Sequence, residues 1–421
     1  MNNWKAWKLE KNYQKLFWAG TVSGIGNRFT QVAILTLLYQ ITGSGFAIGL
    51  LFAIRMAPFL LLAPIGGKLA DRFSKKNLLI TIDLIRVPFA ISPIFVQGPE
   101  HLWIVFISAF CIAAGEALYA PARIASIPAI VKQDRLLYIN AIEQILIGGV
   151  LVLGSSTGGV ISYLFGLQTP FLLDGFSFLL SAYFLFKITL PAAGAIKIKS
   201  QHRAHHTSSA WKLIFGSAAL VVFLIIELTM PLANGIDNVL MSVYALDIFQ
   251  MGDLGVGLIY AFLGLGFVLS SFLSNLLKRK LVALIVIFIV LEGVGHLLLS
   301  IVPGFFLALI TVLFITFVGG TSNICSNTLI MKIVPKERQG TFFGLTAMIS
   351  NTSLGISMGA AGFLLEVFEP RTLSFVVGIT YIIFSIIYSC LFIKVDLIKE
   401  KRNLVRKAGQ QPQYTTARSN G

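Results

Sequence analysis

The sequence predicts an all-α membrane protein whose twelve transmembrane helices form two six-helix bundles. Three observations support this prediction: an apolar composition, a series of long apolar segments, and a weak internal repeat. Of the 421 residues, 56% are hydrophobic and only 12% are charged, and the mean hydropathy is +0.84. A soluble protein of this length has no core that could hold so much apolar surface. We therefore expect the chain to lie in a lipid bilayer.

Twelve segments are apolar enough and long enough to cross the membrane, since a spanning helix needs about 20 residues. A stretch without charged residues runs from 293 to 331, and "IVPGFF" at 301–306 predicts a tight turn between two helices there. Pro231, Asn234 and Gly235 predict a kink or unwinding of the long seventh segment. The segments are 16–41, 46–66, 77–97, 102–122, 138–164, 170–190, 213–246, 254–277, 281–301, 304–331, 341–365 and 372–394.

The basic residues predict the orientation of these helices. The chain has a net charge of +15, and its Lys and Arg residues gather in one set of alternate loops, whereas the opposite loops contain only Arg371. The positive-inside rule then places both termini and the loop 67–76 in the cytoplasm. Since the charge sits in short segments between apolar ones, a nucleic-acid partner is not expected. No cleavable signal peptide is expected either, because the first apolar segment is too long.

The chain divides into two halves separated by a polar linker. We expect an amino-terminal bundle at 1–190, a cytoplasmic linker at 191–212, a carboxyl-terminal bundle at 213–398 and a polar cytoplasmic tail at 399–421. The repeat supports duplication, since "IVKQDRLLYINA" (130–141) resembles "IVPKERQGTFFG" (333–344).

Neither metal binding nor disulfide formation is expected. The linker histidines lack a carboxylate or cysteine companion, and the three cysteines fall in separate apolar segments without CxxC spacing. These residues are His202, His205, His206, Cys111, Cys325 and Cys390.

Charge is unusually dense in the loop "GGKLADRFSKK" (66–76), between the second and third apolar segments. This loop resembles the signature G-x-x-x-D-R-x-G-R-K of the major facilitator superfamily, with Ser74 in place of the second glycine. The flanking sequences at 41–86 and 119–141 resemble the macrolide-efflux and enterobactin-export branch of that family. The matching positions are Gly67, Asp71, Arg72, Lys75 and Lys76.

The resemblance implies that this loop holds the two bundles together on the cytoplasmic side. An ionised Asp71 is then expected at the positive amino end of the eleventh helix, near Gly340 and Thr341. Gly67 is expected to allow close helix approach, and the cations of the loop to pair or to anchor it at anionic lipid headgroups. The alternative is that Lys75 and Lys76 only orient the protein.

A second motif lies in the fifth segment. "LGSSTGG" (153–159) resembles the antiporter signature G-P-x-x-G-G, and it keeps Gly154, Gly158 and Gly159 while Ser155 replaces the proline. The resemblance implies a gating role, and ordinary small-residue packing is the alternative. In the fourth segment, Cys111 stands where drug-proton antiporters often carry an arginine.

Charged residues inside apolar segments are candidates for transport, because an ionised group at that depth is costly unless it is protonated, paired or in contact with water. Glu116, near the middle of the fourth segment, is the first candidate for coupling proton movement to substrate movement. In the implied architecture, helices one, four and seven line a central cavity, which favours Arg28, Glu116, Glu227 and Asp237. Asp83 and Arg86 are expected to pair with each other. The other charged residues singled out inside the segments are Arg55, Glu143 and Glu292.

These features predict a secondary active transporter rather than an enzyme, since no nucleophile, base and orienting group can be assembled from motifs. We expect proton-coupled export of small amphipathic organic compounds of the drug, macrolide or siderophore type, by a monomer in the bacterial inner membrane. No cofactor is expected, and the proton gradient is the expected energy source. The sequence contains no Walker A motif, so direct use of ATP is not expected. The alternatives are a lipid or lysolipid flippase, an uptake symporter, sodium coupling, and a transport-inactive membrane sensor or scaffold.

Overall fold

The computed structural model describes residues 3–42, 45–189, 214–275, 277 and 280–407. Every regular element in these ranges is helical. The expected linker at 191–212 and the last part of the tail, beyond residue 407, lie outside the described residues.

Twelve long helices follow one another along the chain. Eleven of the described helices have the length and apolar composition needed to cross a membrane, and the more polar first helix, with 32 residues, is the twelfth. Two short helices, Asn3–Leu9 and Leu397–Lys407, flank them. The long helices are α1 (Lys11–Thr42), α2 (Gly45–Arg72), α3 (Lys75–Ile91), α4 (Leu102–Ile130), α5 (Leu136–Gly149, continued through the π-helical turn Val150–Gly154 by Ser155–Phe165), α6 (Gln168–Phe186), α7 (Ala218–Val243), α8 (Gly252–Ser270), α9 (Leu281–Ile301), α10 (Phe305–Ile333), α11 (Gln339–Val367) and α12 (Pro370–Ile393).

The helix boundaries agree with the sequence prediction with one exception. The tight turn at "IVPGFF" is confirmed, because α9 ends at Ile301 and α10 begins at Phe305. Of the kink or unwinding expected in the seventh segment, the unwinding is wrong, because α7 continues as an α-helix through Pro231 and Gly235. A π-helical turn, Tyr244–Ile248, follows the end of α7 instead.

The two halves repeat the same packing. In the amino-terminal half, α2 packs on α4, and α1 and α3 pack on α6; in the carboxyl-terminal half, α8 packs on α10, and α7 and α9 pack on α12. Two corresponding pairs of helices make the largest contacts between the halves: α2 packs on α11, and α8 packs on α5. This pattern agrees with the duplication that the internal repeat indicates.

The helices present apolar side chains outward and bury polar ones, as the face of α6 shows. Phe176 and Leu179 are exposed, whereas Asp174, Ser177 and Ser181 on the same helix are buried. An apolar exterior with a polar interior is the arrangement that a lipid environment requires. The membrane assignment from composition is therefore consistent with the packing.

Candidate functional site

The last turn of α2 joins the two halves through the carboxylate of Asp71. The backbone N–H of Gly340 donates to Asp71 Oδ1 at 2.8 Å, and Thr341 donates to Asp71 Oδ2 from its backbone N–H at 2.7 Å and from its hydroxyl at 2.5 Å. These N–H groups belong to the first turn of α11, where backbone donors lack helical partners and the helix dipole favours a negative charge. Asp71 therefore lies where the sequence predicts it.

Three glycines allow α2 and α11 to approach closely around this carboxylate. A Cβ atom on Gly340 would lie 2.6 Å from the carbonyl oxygen of Gly67, and one on Gly344 would lie 2.5 Å from the carbonyl oxygen of Ala63. A Cβ on Gly67 would clash with the backbone of Gly340. Any side chain at these positions must push the helices apart. We call Asp71, Thr341 and these three glycines the cytoplasmic clasp, after the side of the membrane on which the positive-inside rule predicts this end of α2.

The remaining residues of the loop have separate roles. Ser74, which replaces the signature glycine, accepts a hydrogen bond from the backbone N–H of Asn77 at 3.5 Å and so caps α3. Lys75 interacts electrostatically with Asp71, and the Lys76 ammonium lies 5.0 Å from the centre of the Phe186 ring. The side chain of Arg72 is exposed.

The contact between α5 and α8 is equally close. A Cβ atom on Gly264 would lie 2.9 Å from the carbonyl oxygen of Gly148. Nearby, Asn140 of α5 donates to the Thr328 hydroxyl of α10 at 3.0 Å. The two halves are therefore joined at two separate interfaces.

The glycines of the antiporter-like motif pack differently from one another. A Cβ atom on Gly154 would lie 2.8 Å from Cβ of Arg28 on α1, and one on Gly158 would lie 3.1 Å from the ring of Phe29, whereas one on Gly159 would meet nothing within 4 Å. Gly154 also ends the π-helical turn of α5. Such turns are frequent at functional sites.

Buried charges of the amino-terminal half converge on one arginine. Arg86 of α3 is 2% exposed, and its Nη2 atom lies 2.8 Å from Glu116 Oε2 and its Nη1 atom 3.8 Å from Asp83 Oδ1. The guanidinium also lies 5.2 Å from the ring centre of Tyr119 and 5.3 Å from that of Phe178. The expected pairing of Asp83 with Arg86 is confirmed, and Glu116 is a second partner.

A glycine on α4 makes room for this arginine. A Cβ atom on Gly115 would lie 2.9 Å from Cγ of Arg86 and would also overlap its Nε atom. In α4, Cys111 occupies the position of the arginine that drug-proton antiporters often carry. The guanidinium that contacts α4 here comes from Arg86 of α3. Glu116 is the accessible member of the pair, since its side chain is 38% exposed.

Asp174 was missed by the sequence analysis. It is fully buried on α6, and Ser177 donates to its carboxylate at 3.3 Å. Arg55 of α2 interacts electrostatically with both Asp174 and Glu116. The sequence feature that could have revealed it is an acidic residue near the start of the sixth apolar segment. Arg28 lies near this region on α1 and donates to Gln31 Oε1 at 2.9 Å.

A second cluster of ionisable side chains lies in the carboxyl-terminal half. Nδ1 of the fully buried His296 lies 3.5 Å from Asp237 Oδ1, and its ring stacks on Tyr381 with 5.2 Å between the ring centres. The Tyr381 hydroxyl donates to Asn234 Oδ1 at 2.5 Å. Glu292 lies one turn before His296 on α9, with its carboxylate against Gly319 of α10. Sequence reasoning missed His296, although its spacing of four residues from Glu292 places both on one helix face.

Two other predicted acids have local partners. The Ser350 hydroxyl of α11 donates to the Glu227 carboxylate and, at 3.2 Å, to the Glu227 carbonyl oxygen. Glu143 accepts from Arg123 at 2.8 and 3.1 Å and from the Tyr13 hydroxyl at 2.6 Å. Glu143 therefore joins α1, α4 and α5 within one half.

Metal ligation has no support in the part of the chain that the structure describes. No group of three or more His, Cys, Asp and Glu side chains there is placed to hold a metal ion. The three cysteines are unpaired thiols.

The comparisons with known proteins agree with this geometry. The family model for the Major Facilitator Superfamily matches residues 16–360 and 282–416. The MFS-type transporter YfiS of Bacillus subtilis is 23% identical over 98% of this chain and 97% of its own length. Macrolide efflux protein A of Streptococcus pyogenes is 21% identical over 96% of this chain and 99% of its own length.

Solved structures share the architecture as well. A bacterial homologue of the iron transporter ferroportin, solved in an outward-facing state, matches with a TM-score of 0.69 and 15% identity over 91% of this chain and 100% of that one. This likeness concerns the fold alone. Since the family model covers most of the sequence and the helices pack as two repeated bundles, the chain belongs to the major facilitator superfamily.

Proposed function

We propose that this protein is a secondary active transporter that exports small amphipathic organic compounds from a bacterial cytoplasm in exchange for protons. The observation that carries the proposal is the cytoplasmic clasp, in which one carboxylate ties the two halves together at the amino end of α11. The similarity to macrolide efflux protein A over nearly the whole chain supports export as the direction.

The clasp suits alternating access, in which two bundles rock against each other around a central site. Three hydrogen bonds to one carboxylate can break together when α2 leaves α11, and water on the cytoplasmic side can then replace them. The glycine contacts of the two interfaces are dispersion contacts between backbones, which form again without any side-chain rearrangement. The clasp therefore stabilises a state closed to the cytoplasm.

The substrate class follows from the side chains of the membrane interior. Arg28, Glu116 and Glu227 provide polar groups on α1, α4 and α7, the helices proposed to line the central cavity, and many of the residues on these helices are apolar. Such a combination suits amphipathic molecules, because the apolar surface supplies affinity and a few polar groups fix orientation. The half-exposed Glu116 carboxylate is the group proposed to meet a polar or cationic part of the substrate.

Energy for export is proposed to come from the proton gradient across the bacterial plasma membrane. Carboxyl groups inside the membrane can carry protons because burial disfavours their charged form. The orientation that we propose has both termini in the cytoplasm, as the positive-inside rule predicts. The transporter is proposed to act as a monomer and to need no cofactor.

The proposal is tested in a bacterial host whose own exporters have been deleted. Cells expressing the protein should retain less of at least one member of a chemically diverse panel that includes macrolides, and dissipating the proton gradient should abolish this difference. The control is a variant with Gly340→Leu, which should insert normally but lack a closed clasp. Equal retention of every soluble compound, with movement of lysophospholipid only, would contradict the proposal and favour a flippase.

A further inference from the structure

The amino-terminal half compensates its buried acids with arginines. Arg86 is shared by Glu116 at 2.8 Å and Asp83 at 3.8 Å, and Arg55 interacts with Asp174. A permanently charged guanidinium beside a carboxylate allows both to remain ionised inside the protein. Each of these acids therefore has an arginine side chain nearby as a counter-charge.

The carboxyl-terminal half lacks this compensation. Among the ion pairs between described residues, neither Asp237 nor Glu292 is joined to a lysine or arginine, and the partner of Asp237 is His296. Asp237 and Glu292 also interact electrostatically with each other. Two like charges without a fixed cation are costly in the membrane interior, so this cluster is stabilised by taking up a proton.

Hydrogen bonding does not explain the buried position of His296. Its side chain is completely buried, yet neither Nδ1 nor Nε2 has a hydrogen-bond partner among the described residues, and the same holds for Asp237 Oδ1. A neutral imidazole carries one N–H donor and one acceptor, and leaving both unused in a buried site is unfavourable. A proton shared between His296 and Asp237, whose nearest polar atoms are 3.5 Å apart, supplies the missing charge-assisted hydrogen bond.

We propose that Asp237, His296 and Glu292 together form the proton-binding site of this transporter. This inference rests on the proposed proton-driven export, and it transfers the proton role from Glu116, the candidate that the sequence favours, to the other half of the molecule. One proton adds to a carboxylate oxygen or a ring nitrogen of the site and cancels one negative charge. The same proton leaves to water on the cytoplasmic side, and no other bond forms or breaks.

The position of the three side chains agrees with this role. Glu292 lies at the middle of α9, and His296 lies one turn, about 6 Å, further toward the end that we propose to be external. Asp237 is the member with access to the surroundings, since its side chain is 14% exposed while that of His296 is fully buried. In this proposal the proton enters at Asp237, the most exposed of the three side chains, and is held beside Glu292.

Among the described residues, no lysine or arginine of the packed helices forms an ion pair with the site. Tyr244, after α7, interacts electrostatically with Asp237, and so does Tyr381 of α12. Arg371, at the start of α12, donates instead to the carbonyl oxygen of Ser300 at 3.2 Å. On the side of α10, Gly319 lies against Glu292. On the side of α11, the neutral Ser357 lies against Gly235.

The first test observes the proton without any substrate. Infrared difference spectra of the purified protein in detergent, recorded across a pH titration, report the carbonyl band of protonated carboxyl groups. Asp237→Asn should remove a component of this band, and His296→Gln should shift the pH at which it disappears. The matched control is Asp247→Asn, the same exchange at an exposed acid beyond α7, which should leave the component that is lost in Asp237→Asn unchanged.

A second variant allows the test to be carried out even if Asp237→Asn misfolds. If Asp237→Asn does not elute as a single folded species, Glu292→Gln carries the same expectation. An unchanged band with an unchanged pH midpoint in every correctly folded variant of the three residues would overturn the proposal.

The second test measures coupling in proteoliposomes with an imposed pH difference and a compound that the wild-type protein exports. With one proton exchanged per molecule, about one pH unit sustains a concentration ratio of about 10. Asp237→Asn and Glu292→Gln should reduce this ratio to about 1 while retaining exchange of labelled for unlabelled compound. Glu116→Gln should keep the wild-type ratio at saturating substrate, even though its affinity for the substrate falls.

The outcomes of the second test separate the two proposals. Retention of the full ratio by both Asp237→Asn and Glu292→Gln, with its loss in Glu116→Gln, would overturn the assignment of the proton site. A wild-type protein that ignores the pH difference but still loses its infrared band on Asp237→Asn would overturn proton-driven export and leave the proton site standing.

Discussion

Removing the charge of Asp71 should open the cytoplasmic side of the protein. In Asp71→Asn, one side-chain oxygen remains and can still accept from Thr341, but the other is replaced by an NH2 group that faces the N–H donor of Gly340. At least one hydrogen bond to a charged group is then lost, which costs about 1.5–3 kcal/mol. The favourable interaction of a charge with the helix amino end, about 0.3–1 kcal/mol, is lost as well.

These terms set the expected change in the conformational equilibrium. Because the clasp is only partly shielded from solvent, we take the lower part of the combined range, about 2–3 kcal/mol, which corresponds to about a 30- to 140-fold shift toward the state open to the cytoplasm. The helices α2 and α11 should therefore separate at their cytoplasmic ends in a large fraction of molecules.

The separation is measurable with two spin labels. Cysteines replacing the exposed Phe73 and Lys336, in a background without the three native cysteines, report the distance between the ends of α2 and α11. Asp71→Asn should add a longer distance to the distribution or increase its population, whereas Arg72→Gln, the loss of the neighbouring exposed charge, should not. An unchanged distribution in Asp71→Asn would refute the reasoning.

Three further expectations follow from the contacts. Gly264→Val should separate α5 from α8 and slow transport without loss of membrane insertion, whereas Gly257→Ala on the same helix meets nothing within 4 Å and should transport normally; equal rates of both variants would contradict the proposed interface. Arg86→Leu leaves Asp83 and Glu116 without their cation and should lower the stability in detergent by about 3–5 kcal/mol, and an unchanged thermal unfolding midpoint would disprove this. A single cysteine at Ser74 should resist membrane-impermeant reagents outside intact cells while one at Glu100 reacts, and the reverse labelling would contradict the orientation.

The sequence was sufficient to predict the fold and the partner of Asp71. The apolar segments have the length that the bilayer imposes, so their number and order follow from hydropathy alone. The position of Asp71 was implied by the resemblance to the family signature, and the helix dipole explains why a carboxylate is stabilised at the amino end of α11. The replacement of the signature glycine by Ser74 is explained only by the structure, which shows that the serine caps α3.

The pairing of charges within the membrane could not be predicted in full. Asp83 and Arg86 share a helix face, so their contact follows from spacing. The contact between Arg86 and Glu116 depends instead on the packing of α3 against α4 and on the space above Gly115. Asp174 and His296 were missed because they lie on α6 and α9, which are not among the helices that the family resemblance places around the central cavity. The role of a buried ionisable group depends on which cations lie beside it, and that is a property of the packed bundle.

The measurement that tests this account most directly is a simultaneous record of substrate and proton movement in proteoliposomes. A pH-sensitive dye inside the vesicles reports protons, and a labelled compound from the panel reports substrate, both without a membrane potential. We predict that a substrate gradient alone drives protons in the opposite direction, and that the proton signal, but not exchange of the substrate, disappears in Asp237→Asn. Substrate movement without any proton signal in the wild-type protein, or proton movement in the same direction as the substrate, would contradict the account.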